Sequence, residues 1–326
     1  MSELHKFLFE GLPVRGMLVR LTDSWQALLQ RHDESGGYPR AVTDLLGEMA
    51  AAAVLMQGNI KFNGSLVLQV FGDGPVKLAV AEVQPDFAFR ATAKVIGEVA
   101  DAAPLSHLIN VNNKGRCAIT LDPKDRLPGQ QPYQGVVPLF GDRHEKLERI
   151  SEVLEHYMLQ SEQLDTRLVL AANDRMAAGL LIQRIPATGE ANLSGSAAAQ
   201  AREDAIGRSE DYNRIALLAA SLKKEELLSL DADTILHRLF WQEPLQRFEP
   251  AQGPTQPRFA CTCSRERVTG MLQSLGVEEV ESILAEQGQV DIDCDFCGAR
   301  YVFDPVDAAQ IFLNPRQQPP GSSRIQ

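Results

Sequence analysis

The sequence predicts an α+β protein: a mixed sheet core domain covered by helices, then a helical linker region, then a small C-terminal four-cysteine zinc domain. Three observations carry this expectation. Strand signals follow one another before a long helix, without the strict βαβ alternation of a doubly wound fold. A highly charged stretch with thin apolar stripes comes after a run of small residues. Four of the five cysteines fall in the last fifth of the chain, as Cys261-Thr262-Cys263 and Cys294-Asp295-Phe296-Cys297.

The core is expected over 1–186. Arg40 to Gln57 reads as a helix, because Val42, Leu45, Leu46, Met49, Ala53 and Met56 recur at three- and four-residue steps. Ser65–Phe71 and Val76–Val83 read as a hairpin turned at Gly72-Asp73-Gly74. Phe87, Phe89, Ala91, Ala93 and Val95 alternate as a strand with one face buried. Cys117–Leu121 and Gly135–Leu139 are short strands, and Cys117 reads as a buried, inert thiol. Glu145 to Gln163 reads as a helix, with Leu147, Ile150, Leu154, Tyr157 and Met158 on one stripe. Leu168–Ala172 and Leu180–Ile185 are expected to close the domain at Pro186.

The second region runs over 187–259. Ala187 to Ala201 is small and polar, the composition of a flexible linker. Arg202 to Glu249 is expected to be helical, with apolar patches at Ile215/Leu218/Ala219/Leu222, Leu227/Leu228/Leu230 and Ile235/Leu236/Leu239/Phe240. Isolated helices of this length are marginal in water, so the segment must lean on something else. Trp241, beside Leu239 and Phe240, is expected in the core rather than on a binding surface.

The third region runs over 260–313. Ser264 can cap a helix reaching Leu275, Gly276 ends it, and Val277 to Gln287 forms the next, ended by Gly288. Val290 and Ile292 alternate into Cys294, Arg300–Phe303 is a strand, and Asp304-Pro305 with Asp307 opens a last helix. The Pro/Gln/Ser tail, 314–326, is expected to be disordered.

Composition excludes several classes. At 326 residues with 44% apolar content, the chain can bury a sizeable core. No run of about 18 apolar residues exists to span a membrane. The N-terminus lacks the features of an export signal, so a cytoplasmic location is expected. The formal charge of −11, without a Lys/Arg cluster, argues against nucleic acid. The six histidines are scattered, and there is no GxSxG, no P-loop and no dinucleotide fingerprint, so no enzyme is expected.

The chemistry is concentrated in the cysteines. Two close pairs, separated by 264–293, supply two sulfurs each from tight turns, and no histidine lies between 251 and 313. That pattern reads as a closed four-thiolate zinc site of Cys261, Cys263, Cys294 and Cys297, structural rather than hydrolytic because no position is open to water. The two pairs could also close as short disulfides. Zinc-bound sulfur is already thiolate, the oxidisable form, though coordination damps its reactivity. A one-residue spacing makes a small ring that is easily reduced again. A static zinc-ribbon interaction module and a redox switch both remain open on spacing alone.

CTCSRERV from Cys261, the Cys294–Cys297 pair and Arg300-Tyr301-Val302-Phe303-Asp304 resemble the redox-regulated heat-shock chaperones, the 33 kDa chaperonins. Ser161-Glu162-Gln163, Gly179-Leu180-Leu181-Ile182-Gln183 and the stretch from Gln57 to Glu82 are similar to the core of that family. The resemblance implies an ATP-independent holdase that binds unfolding client proteins. It implies zinc on Cys261, Cys263, Cys294 and Cys297 in the reduced, inactive form. On oxidation it implies disulfides Cys261–Cys263 and Cys294–Cys297, loss of zinc, and a homodimer. The core is expected to dimerise and is a candidate client-binding surface, with the helical linker the alternative. The alanine-rich 187–201 stretch and the Pro-rich tail depart from the pattern without touching the four cysteines.

Overall fold

The computed structural model describes residues 1–33, 36–126, 129–185, 209–250 and 253–313. The expected linker at 187–201, the start of the helical stretch at 202–208 and the tail at 314–326 lie outside these. Contacts divide the chain into two compact units, Met1–Ala260 and Cys261–Gln326.

The first unit runs β1 (Glu3–Phe9), β2 (Val14–Leu21), α1 (Asp23–Asp33), α2 (Arg40–Asn59), β3 (Gly64–Phe71), β4 (Val76–Val83), β5 (Ala88–Val95), α3 (Leu105–Leu108), β6 (Arg116–Pro123), β7 (Tyr133–Pro138), α4 (Ile150–Gln160), β8 (Thr166–Ala172) and β9 (Ala177–Arg184). It continues with α5 (Glu210–Ala220), α6 (Lys224–Ser229), α7 (Ala232–Phe240), β10 (Leu245–Arg247) and β11 (Arg258–Phe259).

These strands make two sheets, ordered β10-β1-β2-β9-β8 and β11-β5-β4-β3-β6-β7. Helix α2 touches strands of both. Its sequence explains how it can. Ala50 to Ala53 are all buried, so the helix presents little bulk on any side and two sheets can close on it. Gly47 marks a close approach: a Cβ there would meet Ala172 Cβ at 2.4 Å. The core that results includes Trp25, Leu46, Met49, Leu68, Phe89 and Leu154, with Cys117 fully buried among them as expected. Burial pushes the Cys117 thiol up to about 12, which keeps it protonated and inert.

The charged helices have their support. Tyr212, Ile215, Leu227, Ile235, Leu239 and Phe240 bury against Phe7, Phe9, Leu180 and Ile182 of the first sheet. Phe9 and Phe240 pack edge to face with centroids 5.0 Å apart. An ion pair ties this helical cover to α2: Lys224 Nζ lies 2.7 Å from Glu48 Oε1. Burial holds the Glu48 carboxyl above its usual range, opposed by Lys224.

Several expectations are corrected. The helix expected over Glu145–Gln163 covers only Ile150–Gln160, because Lys146 is bridged to Phe140 and Leu147 N–H donates to the Leu139 carbonyl. The helix expected to Glu249 ends at Phe240. The chain then forms β10, which pairs with β1 through Phe9↔Leu245. Trp241 is 67% exposed, not in the core, since the helix has placed Leu239 and Phe240 inward and turns the next side chain out. β1 and β2 are additions to the expected elements: they pair through Phe7↔Gly16 and add Phe7, Phe9, Val14 and Leu18 to the apolar face that β8 and β9 share with the helical cover.

The second unit contains α8 (Arg265–Leu275), α9 (Val277–Gln287), β12 (Val290–Asp293), β13 (Arg300–Phe303) and α10 (Pro305–Leu313). Its buried apolar core among the described residues is Leu272, Val280, Val290, Phe303, Ala308 and Ile311. No described helix is long and apolar enough to cross a membrane.

Candidate metal centre

The cysteine pairs are positioned by two different devices. Ser264 Oγ caps α8 by accepting from Arg267 N–H, so the chain before it is extended and presents Cys261 and Cys263 ahead of the helix. Cys294 and Cys297 sit at the turn of the β12–β13 hairpin. Cys294 N–H donates to the Ala299 carbonyl, and the Cys294 carbonyl accepts from Cys297 N–H and Gly298 N–H at 3.2 and 2.8 Å. Gly298 takes φ +67°, a left-handed conformation that glycine adopts without a Cβ penalty. The hairpin is pinned by the register Ile292↔Tyr301 and Val290↔Phe303. Arg265 ties α8 to that hairpin, with its guanidinium 4.1 Å from the Phe303 ring centroid, 2.9 Å from the Val302 carbonyl and 2.8 Å from Asp307.

All four sulfurs lie within 4.8 Å of one another, and all four cysteines are half-buried. Cys261 and Cys294 approach to 3.6 Å, and Cys263 and Cys297 to 3.3 Å. Four sulfurs around one tetrahedral ion would stand about 3.8 Å apart, given metal–sulfur bonds of about 2.3 Å. The set therefore fits such an ion with small adjustments, and it could hold a metal. It offers only thiols, with no oxygen or imidazole among them.

The thiols are not equivalent. Burial pushes Cys294 and Cys297 up. Partial burial acts on Cys263 too, but hydrogen bonds from Tyr301 and the neighbouring thiols outweigh it and hold the thiol down to about 7. Tyr301 Oη donates to Cys263 Sγ at 3.1 Å. Reading the sequence singles out the four cysteines that the structure brings together, but misses Tyr301 as a partner of the site. It equally misses Glu48 and Lys224, whose pairing spans 176 residues.

An α+β unit carrying a helical cover is thus joined in sequence to a small unit with a four-thiol centre. The Hsp33 protein family model matches residues 2–304. A 33 kDa chaperonin of Chromobacterium violaceum is 46% identical over 311 residues, covering 95% of this chain and 94% of that protein. A 33 kDa chaperonin of Methylobacillus flagellatus is 45% identical over 313 residues, covering 95% and 94%. The crystal structure of the Thermotoga maritima 33 kDa chaperonin, a heat shock protein 33 homologue, superposes with a TM-score of 0.70 over 95% of this chain and 98% of that one. At 20% identity that structure speaks for the fold alone. The chain belongs to the Hsp33 family of chaperones. Its relatives are named as chaperonins and not as enzymes.

Proposed function

We propose that this chain is a redox-gated, ATP-independent holdase of the bacterial cytoplasm. In the reduced state Cys261, Cys263, Cys294 and Cys297 hold one Zn2+. The observation that carries the reading is the clustering of four half-buried sulfurs within 4.8 Å in a unit whose own apolar core is small.

Cys261, Cys263, Cys294 and Cys297 would hold the ion, which would cross-link the CxC segment to the hairpin turn and keep the four sulfurs as thiolates. Structural zinc in small modules is worth about 10–16 kcal/mol of apparent binding energy, comparable to the whole stability of a domain at about 5–15. Oxidation by a peroxide closes Cys261–Cys263 and Cys294–Cys297. Each disulfide lies within one segment, so neither links the CxC segment to the hairpin. The disulfides carry no charge, release the ion and leave the unit without its cross-link. All four sulfurs are mutually close, so proximity alone does not select this pairing; the family resemblance does.

The unfolding is proposed to propagate to the helical cover. The covalent path is short: α7 ends at Phe240, β10 and β11 pair with β1 and β5, and Cys261 follows two residues after Phe259. Release of α5–α7 exposes Phe7, Phe9, Leu180 and Ile182 together with the apolar stripes of the helices. A surface of that size binds unfolding chains and lets two copies associate as a dimer. The test measures metal with a colorimetric chelator, and aggregation of an unfolding client by light scattering, in protein treated with peroxide at elevated temperature. Metal loss with client protection is expected. A static zinc-ribbon module would retain its metal, or lose it without protecting the client. Peptide mapping that found Cys261–Cys294 and Cys263–Cys297 instead would refute the pairing.

A further inference from the structure

We propose that the first unit carries a binding site for a small carboxylate with an apolar body of about six to eight carbons, seated at the seam of the two sheets with its charge on Arg15. A cavity of about 120 Å3 lies there. Leu66 and Ile119 wall it from one sheet, Leu168 and Leu181 from the other, Met56 from α2 and Met158 from α4. Ile60 and Tyr133 also border it and are 37% and 52% exposed, so it opens to solvent. An apolar cavity of about 150 Å3 holds a benzene ring. The volume here therefore takes a body of similar size, and the mouth lets a chain run on past Ile60 and Tyr133.

The polar part of the wall distinguishes a site from a packing gap. Arg15 Nε and Nη2 and Asn59 Nδ2 all donate to one oxygen, Gln183 Oε1. Gln183 is fully buried, and its amide nitrogen donates to Thr166 Oγ1 at 2.9 Å, which fixes where that oxygen points. A carbonyl oxygen has two lone pairs, so three donors oversubscribe it. Three of the five guanidinium N–H groups of Arg15 have no acceptor among the described residues. Neither Arg15 nor nearby Lys6 forms an ion pair among those residues. Burial first, and Arg15 second, hold the Lys6 ammonium below its usual range. Two half-buried cations thus stand together with no acid to balance them. Glu162, the acid among the described wall residues, is already engaged: its Oε1 accepts from the Tyr157 and Tyr133 hydroxyls at 2.8 and 3.2 Å. A carboxylate on Arg15 supplies the missing charge and acceptors, and the apolar wall takes the body behind it.

The test uses the reduced, metal-loaded full chain with carbon-labelled methionine methyl groups. Sodium octanoate should shift the Met56 and Met158 signals saturably and leave Met271 in place. The uncharged 1-octanol should bind about tenfold more weakly, and octylammonium more weakly still. Arg15→Gln should weaken octanoate about ten- to hundredfold, the weight of a hydrogen bond to a charged group, and leave octanol within about twofold. Met158→Trp, which fills the cavity without touching Arg15, should abolish binding of both. Dodecanoate should gain less than about tenfold over octanoate, where four more buried methylenes would give about a hundredfold or more. No saturable shift at Met56 and Met158 would make the cavity a packing gap only. Octylammonium binding as tightly as octanoate, or parental octanoate affinity in R15Q or M158W, overturns the proposal as well. A hundredfold gain with dodecanoate would assign the site to long acyl chains and overturn its size. If R15Q lost octanol too, its fold would be at fault, and the parent's ranking of the three head groups decides alone.

Discussion

The helical cover and the cysteine unit are both short segments that would not fold alone, yet they are held by different forces. The cover rests a broad apolar face on a finished sheet, with Phe240 on Phe9 and Ile235 and Leu239 beside it. The cysteine unit gathers six buried apolar side chains and four sulfurs among its described residues. The first is a matter of area, which oxidants do not alter. The second, on the proposed reading, depends on the charge of four sulfur atoms, which two successive two-electron oxidations would abolish. The proposed switch would use both kinds of attachment, and they follow one another along the chain.

The comparison breaks most sharply if the thiols are removed. Cys294→Ser, or stripping by a strong chelator, should leave hydrogen exchange of α2 and both sheets unchanged. It should erase protection across 261–313 even in reducing buffer, a loss on the order of the about 10–16 kcal/mol such sites supply. Exchange read by mass spectrometry checks this directly, and an unaltered pattern over 261–313 would remove the metal from its structural role.

Attacking the other attachment should give the opposite result. Phe240→Ala removes a fully buried ring and should cost about 3–5 kcal/mol at the cover. The expected outcome is rapid exchange across 209–240 with the centre still loaded, and client protection without any peroxide. A variant that stays silent until oxidised would show that cover and activity are uncoupled.

A smaller effect isolates the polar contact. Lys224→Gln leaves the buried Glu48 without its cation, costing about 1–2 kcal/mol; a fully buried pair would lose more, but Lys224 is half in water. The pH dependence has a defined sign. Burial raises the Glu48 pKa in the folded state, so its contribution is fully present below the ordinary carboxylate pKa and is lost as pH rises through the folded value. Neighbouring Asp44, also raised by burial, acts in the same direction. Denaturant titrations at pH 5 and pH 8 should show the cover weaker at pH 8, with the gap wider in K224Q. A gap of reverse sign would mean that Glu48 is not buried in the docked state.

The smallest effect is expected at the fifth cysteine. Cys117→Ala should cost about 1 kcal/mol for a small buried side chain and change neither metal content nor the number of thiols oxidised. Thiol counting by mass shift settles it.

What the sequence disclosed and what it hid follow from the range of the forces involved. The clustering of the four cysteines was legible because each pair is local in sequence. Helix α2 was legible from Val42, Leu46 and Met49, but not its burial on every side, since alanines leave no periodic signal. β1 and β2 were missed because both faces of that sheet are covered, by α2 and by the helices, so Phe7, Phe9, Met17 and Leu18 do not alternate cleanly with polar residues. β10 falls in a stretch expected to be helical because its pairing to β1 is purely long-range. Trp241 was misplaced because its apolar neighbours point inward while it lies just past the helix end. Tyr301 sits in a strand that was correctly expected, but its aim at Cys263 depends on a hairpin register and on a segment 38 residues away.

The most direct measurement is a hydrogen-exchange map of one preparation, metal-loaded and reduced, before and after peroxide at elevated temperature. Protection should vanish over 261–313 and 209–240 together, while α2 and the strands around it hold. If 209–240 kept its protection after 261–313 had lost it, the sulfur centre and the helical cover would be independent parts and not one switch.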